Sequence, residues 1–560
     1  MTNSIEKMMR PPKEVMRLDR IGAAFPTRLS FMRVLVRRIS RDNWQFSRAS
    51  IELDAKGLGH AIYTVNTGTR NYSLIAFSHD LDPDLRNDRV IAEAWDATFN
   101  LFDGIPDKLD IERLANNTPK QEAGRFTSAE LVLARANRSG RLFNQVIEAL
   151  SAGKQPDIEK LLEVGYLMRT TAVYGNGKFG CADREKIADR LEVNGAFQVE
   201  MLAIYLIRLF SIDLVEHIAQ RSSANACCLS SENRRLIGIG NATGLGMAPF
   251  LINHQALLHK WVYAKELALA RVRSINHQSP TKSRKLTEEF KKARNHIAAW
   301  EVEDKEQMQR ITALRNDLTR FEKKCPDLLH RPQPCNAIFL WVDSNLGIEA
   351  RELTISILLE CYPTLVDELG EQLFADEQEA QWDPSMTIAE LSELLHKHYP
   401  WAKAVDHQSP EESHRIWYYS AEKLEPRLGT RDNNREIESE IPLAITRDVA
   451  ELGNLLSQRP SEETTMQFCA YHPWLRHAVK RVQSAAKFPY GEIAGNLLNK
   501  EFRPIDILRF KLAYFGAASF DPKSSLWTRV TMYQGAPLPD DLDPQSADAW
   551  AFPLAEVASA

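Results

Sequence analysis

The amino-acid sequence predicts a mainly α-helical protein of the α+β class, with a small N-terminal antiparallel β-sheet and a long antiparallel helical hairpin near the middle. Three observations support this fold class. Apolar residues recur at helical spacing through most of the chain after residue 107. Residues 44–102 instead alternate between apolar and polar side chains, which is the period of a half-buried strand. One helical stretch near residue 300 is too long to remain unpaired.

Composition limits the class of protein. The chain has 560 residues, a formal net charge of −5, 44% hydrophobic and 26% charged residues. These are ordinary globular values, and the length predicts more than one domain. The acidic balance makes nucleic acid an unexpected partner, and an apolar run of about 20 residues, as a membrane span requires, is not found. Seven irregularly spaced cysteines and the lack of a signal-peptide pattern predict a cytoplasmic protein with reduced thiols.

Residues 1–43 are predicted to form a basic N-terminal arm that includes one helix. Leu29, Met32, Val36 and Ile39 recur at helical spacing, and arginines lie between them at positions 33, 37 and 38. This pattern predicts an amphipathic helix that packs on the body and leaves a solvated basic face. The alternative is a surface for an anionic partner such as nucleic acid or lipid headgroups.

The small sheet is assigned to residues 44–115. Residues 60–66 and 72–79 are rich in β-branched and aromatic side chains, and residues 67–71 between them have the composition of a hairpin loop. Residues 89–102 alternate in the same way. We therefore expect three or four antiparallel strands.

Residues 116–330 are expected to form a helical domain, with helices at 156–173, 182–192 and 196–220. The hairpin occupies residues 249–325. Its first helix starts near Pro249 and ends near Arg273, and the second starts after Ser279-Pro280 and stops before Cys325-Pro326. A seam resembling that of a coiled coil would join the two, and such hairpins often serve oligomerisation. Residues 331–560 are expected to form a second, mainly helical domain.

The strongest candidate site is a glycine-rich segment at residues 234–249. Glycines allow a ligand to approach the backbone, and a helix that follows offers unpaired N–H groups to an anion. No strand–helix–strand unit is expected around it, so it is not interpreted as a dinucleotide-binding fingerprint. The alternative is a tight turn between packed helices. The substrate-binding candidates here are Arg234, Arg235, Gly240, Asn241, Thr243, Gly244 and Gly246.

A second glycine-rich segment, residues 169–180, follows a helix expected to end near Tyr174. Arg169, Asn176 and Gly177 are its substrate-binding candidates. Lys178 is a catalytic candidate, because a desolvated lysine can clamp an anion or act as base or nucleophile. The alternative is a glycine C-cap followed by an ordinary loop.

These segments predict an enzyme that acts on a small carboxylate- or phosphate-bearing metabolite. His254 is the first choice for the general acid or base, because histidine titrates near neutral pH. No motif indicates a reaction class, a metal or another cofactor. The alternative hypothesis is a helical interaction or scaffold protein that forms homo-oligomers through the central hairpin.

Overall fold

The structure is a computed structural model of the chain. It describes residues 5–82, 94–117, 127–175, 187–241, 255–300, 302–373, 382–409, 417–419, 426–428, 445–494, 509–510, 513, 516, 519–522 and 528–550. All structural statements below concern these residues.

A mixed sheet of nine strands organises the N-terminal half, in the order β1-β2-β3-β4-β5-β6-β7-β11-β10. Its strands are β1 Gln45–Leu53, β2 Gly59–Asn66, β3 Asn71–Ser78, β4 Ala97–Asp103, β5 Glu130–Arg138, β6 Tyr166–Gly175, β7 Gly238–Asn241, β10 Ser519–Pro522 and β11 Thr528–Met532. Two short strands, β8 Trp417–Tyr419 and β9 Pro426–Leu428, form a separate pair.

The prediction of a small sheet is therefore wrong, although its first strands and the hairpin loop at residues 67–71 are confirmed. Strands of one sheet come from three of the four predicted segments, as far apart as residues 45 and 532. The main error is at residues 156–173, which were expected to be one helix. Gly165 ends the helix with a left-handed φ of 78°, and β6 starts at the next residue. Buried strands carry few polar residues, so periodicity does not separate them from buried helices.

Helices make up most of the remainder. They are α1 Pro12–Val15, α2 Leu18–Gly22, α3 Phe31–Arg41, α4 Lys108–Asn117, α5 Phe143–Ser151, α6 Ile158–Val164, α7 Gln198–Ser222, α8 Ser231–Leu236, α9 Gln255–Arg273, α10 Pro280–Ala298, α11 Lys305–Leu329, α12 Pro334–Asn345, α13 Ile348–Cys361, α14 Pro363–Gln372, α15 Ile388–His398, α16 Pro400–Lys403, α17 Ile445–Leu456, α18 Thr465–Tyr471, α19 Arg476–Ala485 and α20 Pro544–Ala549. Among them, no helix has both the length and the apolar character needed to cross a membrane.

Helix α7 is the core of the sheet-bearing half. Nearly all its residues are buried, as the apolar run at 201–215 predicts for a core helix. It packs across β3–β7, where the ring of Phe210 lies edge-on to Phe99 at 5.5 Å between centroids. Helix α7 also connects β6 to β7, which are parallel neighbours. A strand–helix–strand unit therefore precedes the first glycine-rich segment, contrary to the prediction.

Arg208 of α7 is fully buried, and its guanidinium donates only to backbone carbonyls. Nε lies 2.6 Å from Ile237 O, just before β7, and Nη2 lies 2.9 Å from Ala536 O, just after β11. Nη2 also reaches the last turn of α8 at Arg234 O and Arg235 O, at 3.3 and 3.2 Å. Burial lowers the pKa of Arg208 to about 10, so the group stays charged at neutral pH and binds the helix end as a cation.

The central hairpin differs from the predicted one. The second predicted helix is two helices, α10 and α11, and these pack antiparallel to each other. The rings of Phe290 and Phe321 lie 4.3 Å apart across this pair. Residues 302–304, within the polar stretch of the sequence, belong to the turn between α10 and α11. A single continuous helix over this range would leave its apolar face uncovered. Ser279 caps α10 as predicted, but α11 continues through Pro326.

The arginines of α3 do not form a solvated basic face. Arg33 and Arg38 are buried and pair with Glu360 of α13 and Glu371 of α14. The carboxylates that neutralise them lie more than 300 residues further along the chain. Helix α3 is therefore an internal, ion-paired element, which removes the predicted basic face as a surface for an anionic macromolecule.

Replacing Arg208 with methionine tests its structural role. Arg208→Met retains most of the side-chain volume but removes the donor to Ile237 O and Ala536 O, and each unsatisfied buried carbonyl costs about 1–3 kcal/mol. We expect a loss of at least about 3 kcal/mol in the free energy of unfolding, measured by urea denaturation. Arg221→Met, at the exposed end of the same helix, is the matched control and should change stability by less than about 0.5 kcal/mol. Equal effects of the two substitutions would contradict this role.

Candidate functional site

The two glycine-rich segments start from adjacent strands. β6 and β7 are parallel, with Arg169 opposite Gly240 and Thr170 opposite Asn241. The hydroxyl of Thr170 donates to Gly240 O across the pair, at 3.2 Å. Because both strands run in the same direction, the chain leaves them at the same edge of the sheet. β6 extends five residues beyond Thr170 to Gly175, so its exit lies roughly 17 Å further along at 3.3 Å per residue.

The predicted site residues divide into three groups. Arg169, Gly240 and Asn241 belong to the parallel pair. Arg234 and Arg235 belong to α8, which precedes β7. The remaining candidates lie outside the described residues; these are Asn176, Gly177, Lys178, Thr243, Gly244, Gly246 and His254. Their assignment stays a prediction.

Arg234 and Arg235 hold structural ion pairs. Arg234 makes a bidentate contact with Glu216 of α7, at 3.0 and 2.6 Å, and Arg235 pairs with Asp541. Arg234 and Arg235 precede the first residue of β7, whereas the remaining glycines of the segment follow the last residue of β7. A four-residue strand spans about 13 Å, so these guanidinium groups belong to the opposite edge of the sheet.

Two glycines of the first segment are required by packing. A Cβ at Gly238 would lie 2.4 Å from Met532 O of β11, and one at Gly240 would lie 2.8 Å from the ring of Tyr166. Both distances are well inside van der Waals contact. Close packing between strands, rather than the predicted turn between helices, accounts for these two positions, and the ligand hypothesis concerns the glycines that follow residue 241.

A polar cluster that the sequence analysis missed surrounds the start of α9. The side chain of Gln255, the first described residue after the glycine-rich segment, lies within hydrogen-bond distance of Tyr399 Oη (3.4 Å) and Arg481 O (3.2 Å). Tyr399 Oη donates to Glu492 at 2.8 Å, and Arg481 contacts the same carboxylate at 2.6 and 3.1 Å. Residues from four separate parts of the chain thus meet at one point.

Burial and charge set the protonation of this cluster. Burial and the neighbouring Glu492 raise the pKa of Tyr399, so its hydroxyl stays protonated and acts as a donor. Burial disfavours the charge on Arg481, but Glu492 outweighs this and holds the arginine pKa above its ordinary value. A neutral tyrosine next to an arginine–carboxylate pair can orient a ligand or donate a proton to it.

His259, one turn further along α9, sits among the rings of Tyr263, Phe488 and Tyr490. Its Nδ1 accepts a hydrogen bond from the backbone N–H of Tyr490 at 3.1 Å, which places the proton of the neutral ring on Nε2. Burial, together with nearby Lys260, lowers the pKa of His259 to about 4. The imidazole is therefore neutral at physiological pH.

No sequence signal could have found this cluster. Tyr399, Arg481 and Glu492 lie in different local patterns, and only the packing of Tyr399, α19 and residues 487–492 around the start of α9 brings them together. His259 is visible in the sequence, but its aromatic surroundings come mainly from residues more than 200 positions away. Within the described ranges, no group of three or more histidine, cysteine, aspartate or glutamate side chains has the arrangement of a metal site.

Comparison with known proteins finds no protein family, no curated protein and no solved structure that matches this chain. The functional argument therefore depends on the geometry alone.

The packing role of Gly238 can be tested directly. Gly238→Ala forces a methyl group against the backbone of β11, and such overpacking costs about 1–3 kcal/mol. We expect a lower urea midpoint by a corresponding amount. Gly140→Ala is the control, because no atom outside its own neighbours lies within 4 Å of the added carbon. An unchanged midpoint for Gly238→Ala would show that β11 does not pack on β7 in this way.

The neutral state of His259 predicts a pH dependence of stability. An unfolded histidine titrates near pH 6.5. Between about pH 6.5 and the folded value of about 4, the unfolded chain therefore binds the extra proton, and the wild type loses stability as the pH falls. His259→Gln lacks this proton, so the stability gap between wild type and variant should narrow from pH 7 to pH 4.5. His277→Gln, at an exposed loop position, is the control. A gap that stays constant for His259→Gln would contradict a buried, neutral ring.

Proposed function

We propose that this protein is an enzyme that binds a small carboxylate- or phosphate-bearing metabolite at the carboxyl edge of the β6–β7 pair. One observation carries the proposal. The parallel pairing of Arg169 with Gly240 and of Thr170 with Asn241 directs both glycine-rich segments away from the same edge of the sheet. In open sheets with parallel strands, ligands bind outside the carboxyl ends of adjacent strands, where connections diverge.

The chain that follows β7 supports an anionic ligand. It passes through the glycines at 244 and 246 and then enters α9, a helix of 19 described residues. A glycine-rich connection from a strand into a helix places backbone N–H groups and the positive end of the helix dipole near an anion. Lys178 and Asn176 of the other segment would add a cation and an amide.

One group is proposed for proton transfer and a second for positioning. His254 directly precedes the first described residue of α9 and is the proposed general acid or base. Tyr399, held by Glu492 and next to Gln255, is proposed to orient the first turn of α9, and through it the ligand.

Oligomerisation through the hairpin is the alternative function, and the packing of the hairpin weighs against it. The apolar seam of α10 and α11 is occupied by their mutual contact and by α12 and α13. The buried seam residues include Leu286, Phe290, Leu314 and Leu318. A homo-oligomer would therefore have to use the polar outer face. A cytoplasmic location is part of the proposal, because the six described cysteines are free thiols.

A ligand screen by thermal shift tests the proposal. Purified full-length protein is heated with millimolar inorganic phosphate, pyrophosphate, and mono- and dicarboxylates. A specific ligand at 100 times its Kd should stabilise the fold by about 2.7 kcal/mol. We expect Lys178→Ala and Gly244→Val to remove most of this shift.

Matched substitutions serve as controls for this screen. Lys154→Ala changes an exposed lysine, and Gly140→Ala changes a glycine with open space around it. Both should keep the ligand-induced shift. The proposal fails if no compound stabilises the wild type, or if the controls lose the shift as completely as the two site variants.

A further inference from the structure

A large cleft lies beside α3, far along the chain from the residues of the glycine-rich segments. Its volume is about 1070 Å³, which exceeds the upper part of the range of about 300–1,000 Å³ typical of small-molecule pockets. Residues of α3, α10, α14 and α20 line it. Five of its lining side chains are cationic and six are carboxylates, so it is a polar cleft with both signs of charge.

Most cations of the cleft already have an anionic partner. Arg28 makes a bidentate contact with Asp367, at 2.8 and 2.6 Å, and lies 2.5 Å from Asp548 of α20. Lys292 pairs with Glu289 on its own helix at 3.1 Å. The two Arg28 pairs hold α14 and α20 against the chain just before α3, at one wall of the cleft.

Arg37 differs from its neighbours. Its Nη2 donates to Arg28 O at 2.8 Å, and its closest ion-pair partner is Asp367 at 3.5 Å, whose two oxygens already receive Arg28. Within the described part of the chain, Arg37 Nη1 and Ser40 Oγ are buried without a hydrogen-bond partner. Burial lowers the pKa of Arg37 to about 10, and the nearby charges of Arg28 and Arg33 add to this effect.

Lys285 of α10 lines the same cleft and is half-buried. Among the described residues it makes no ion pair within 4 Å. Among the described residues, the cleft therefore contains one guanidinium N–H group without an acceptor and one ammonium without a close ion pair. A phosphate group of a ligand would supply acceptors to both, because a phosphate accepts hydrogen bonds from several donors at once.

The other lining residues indicate the rest of the ligand. Half-buried carboxylates such as Glu371 and Asp548 pair with arginines and have further acceptor positions, and ligand hydroxyl groups would supply the donors. The same carboxylates would repel a chain of phosphates. The described lining residues include no aromatic ring on which a nucleobase could stack. We propose that this cleft binds a phosphorylated polyhydroxy compound, of the sugar monophosphate class, through Arg37 and Lys285.

Calorimetric titration of the full-length protein with a hexose 6-phosphate tests this site. We expect saturable binding, with AMP and the unphosphorylated hexose each at least tenfold weaker. Lys285→Ala should weaken hexose 6-phosphate binding at least tenfold. Lys291→Ala, an exposed lysine on the same helix, is the matched control and should leave binding unchanged.

Arg37→Gln provides a second variant and should also weaken binding at least tenfold, with its folding checked by the urea midpoint of the unliganded protein. Lys178→Ala and Gly244→Val should leave this binding unchanged, which separates the cleft from the β6–β7 edge. Three results would each overturn the inference: no binding by the wild type, equal binding of AMP, or binding that is lost in Lys178→Ala but kept in Lys285→Ala.

Discussion

The buried guanidinium of Arg208 is the interaction on which the sheet-bearing half depends. In the described part of the chain this cation bonds to backbone carbonyl oxygens, and it joins α7 to the end of α8, the residue before β7, and the chain after β11. Side chains that could satisfy so many carbonyls at once are rare, and arginine has five N–H donors in a fixed plane. The position of β7 beside β6, and with it the candidate site, follows from this set of bonds.

Buried ion pairs join distant parts of this protein. A second buried cluster joins Arg10 to Glu266 of α9 and Glu352 of α13, at 2.7 Å each, and Lys265 reaches Glu352 at 3.0 Å. Such clusters gain little stability over apolar packing, but removing one member is costly because it leaves a buried charge. These buried ion-pair clusters specify which helices pack against each other. In this setting Arg37 stands out among the arginines around the large cleft, since its Nη1 is buried without a hydrogen-bond partner among the described residues.

The candidate site could be predicted only in part. The spacing of glycines in the sequence identified the two segments. That both segments leave the sheet at the same edge depends on the β6–β7 pairing, in which residue 169 lies opposite residue 240, 71 positions away. Arg234 and Arg235 were predicted to bind substrate because they are close in sequence to the glycines. In the structure they form ion pairs with Glu216 and Asp541 at the opposite end of β7. Tyr399, Arg481 and Glu492 were missed because their common feature is a shared position in space.

The sequence by itself determined the features set by near neighbours. The loop at 67–71 between β2 and β3, the Ser279 cap of α10 and the apolar core helix α7 all follow from turn composition, capping and hydrophobicity over a few residues. Tertiary structure alone decided the size of the sheet, the strand character of β6, the turn that divides α10 from α11, and the burial of Arg33, Arg38 and Arg208. The physical reason is the same in each case. A fully buried segment or a buried charge is stabilised by partners distant in sequence, and the local periodicity of the sequence does not predict those partners.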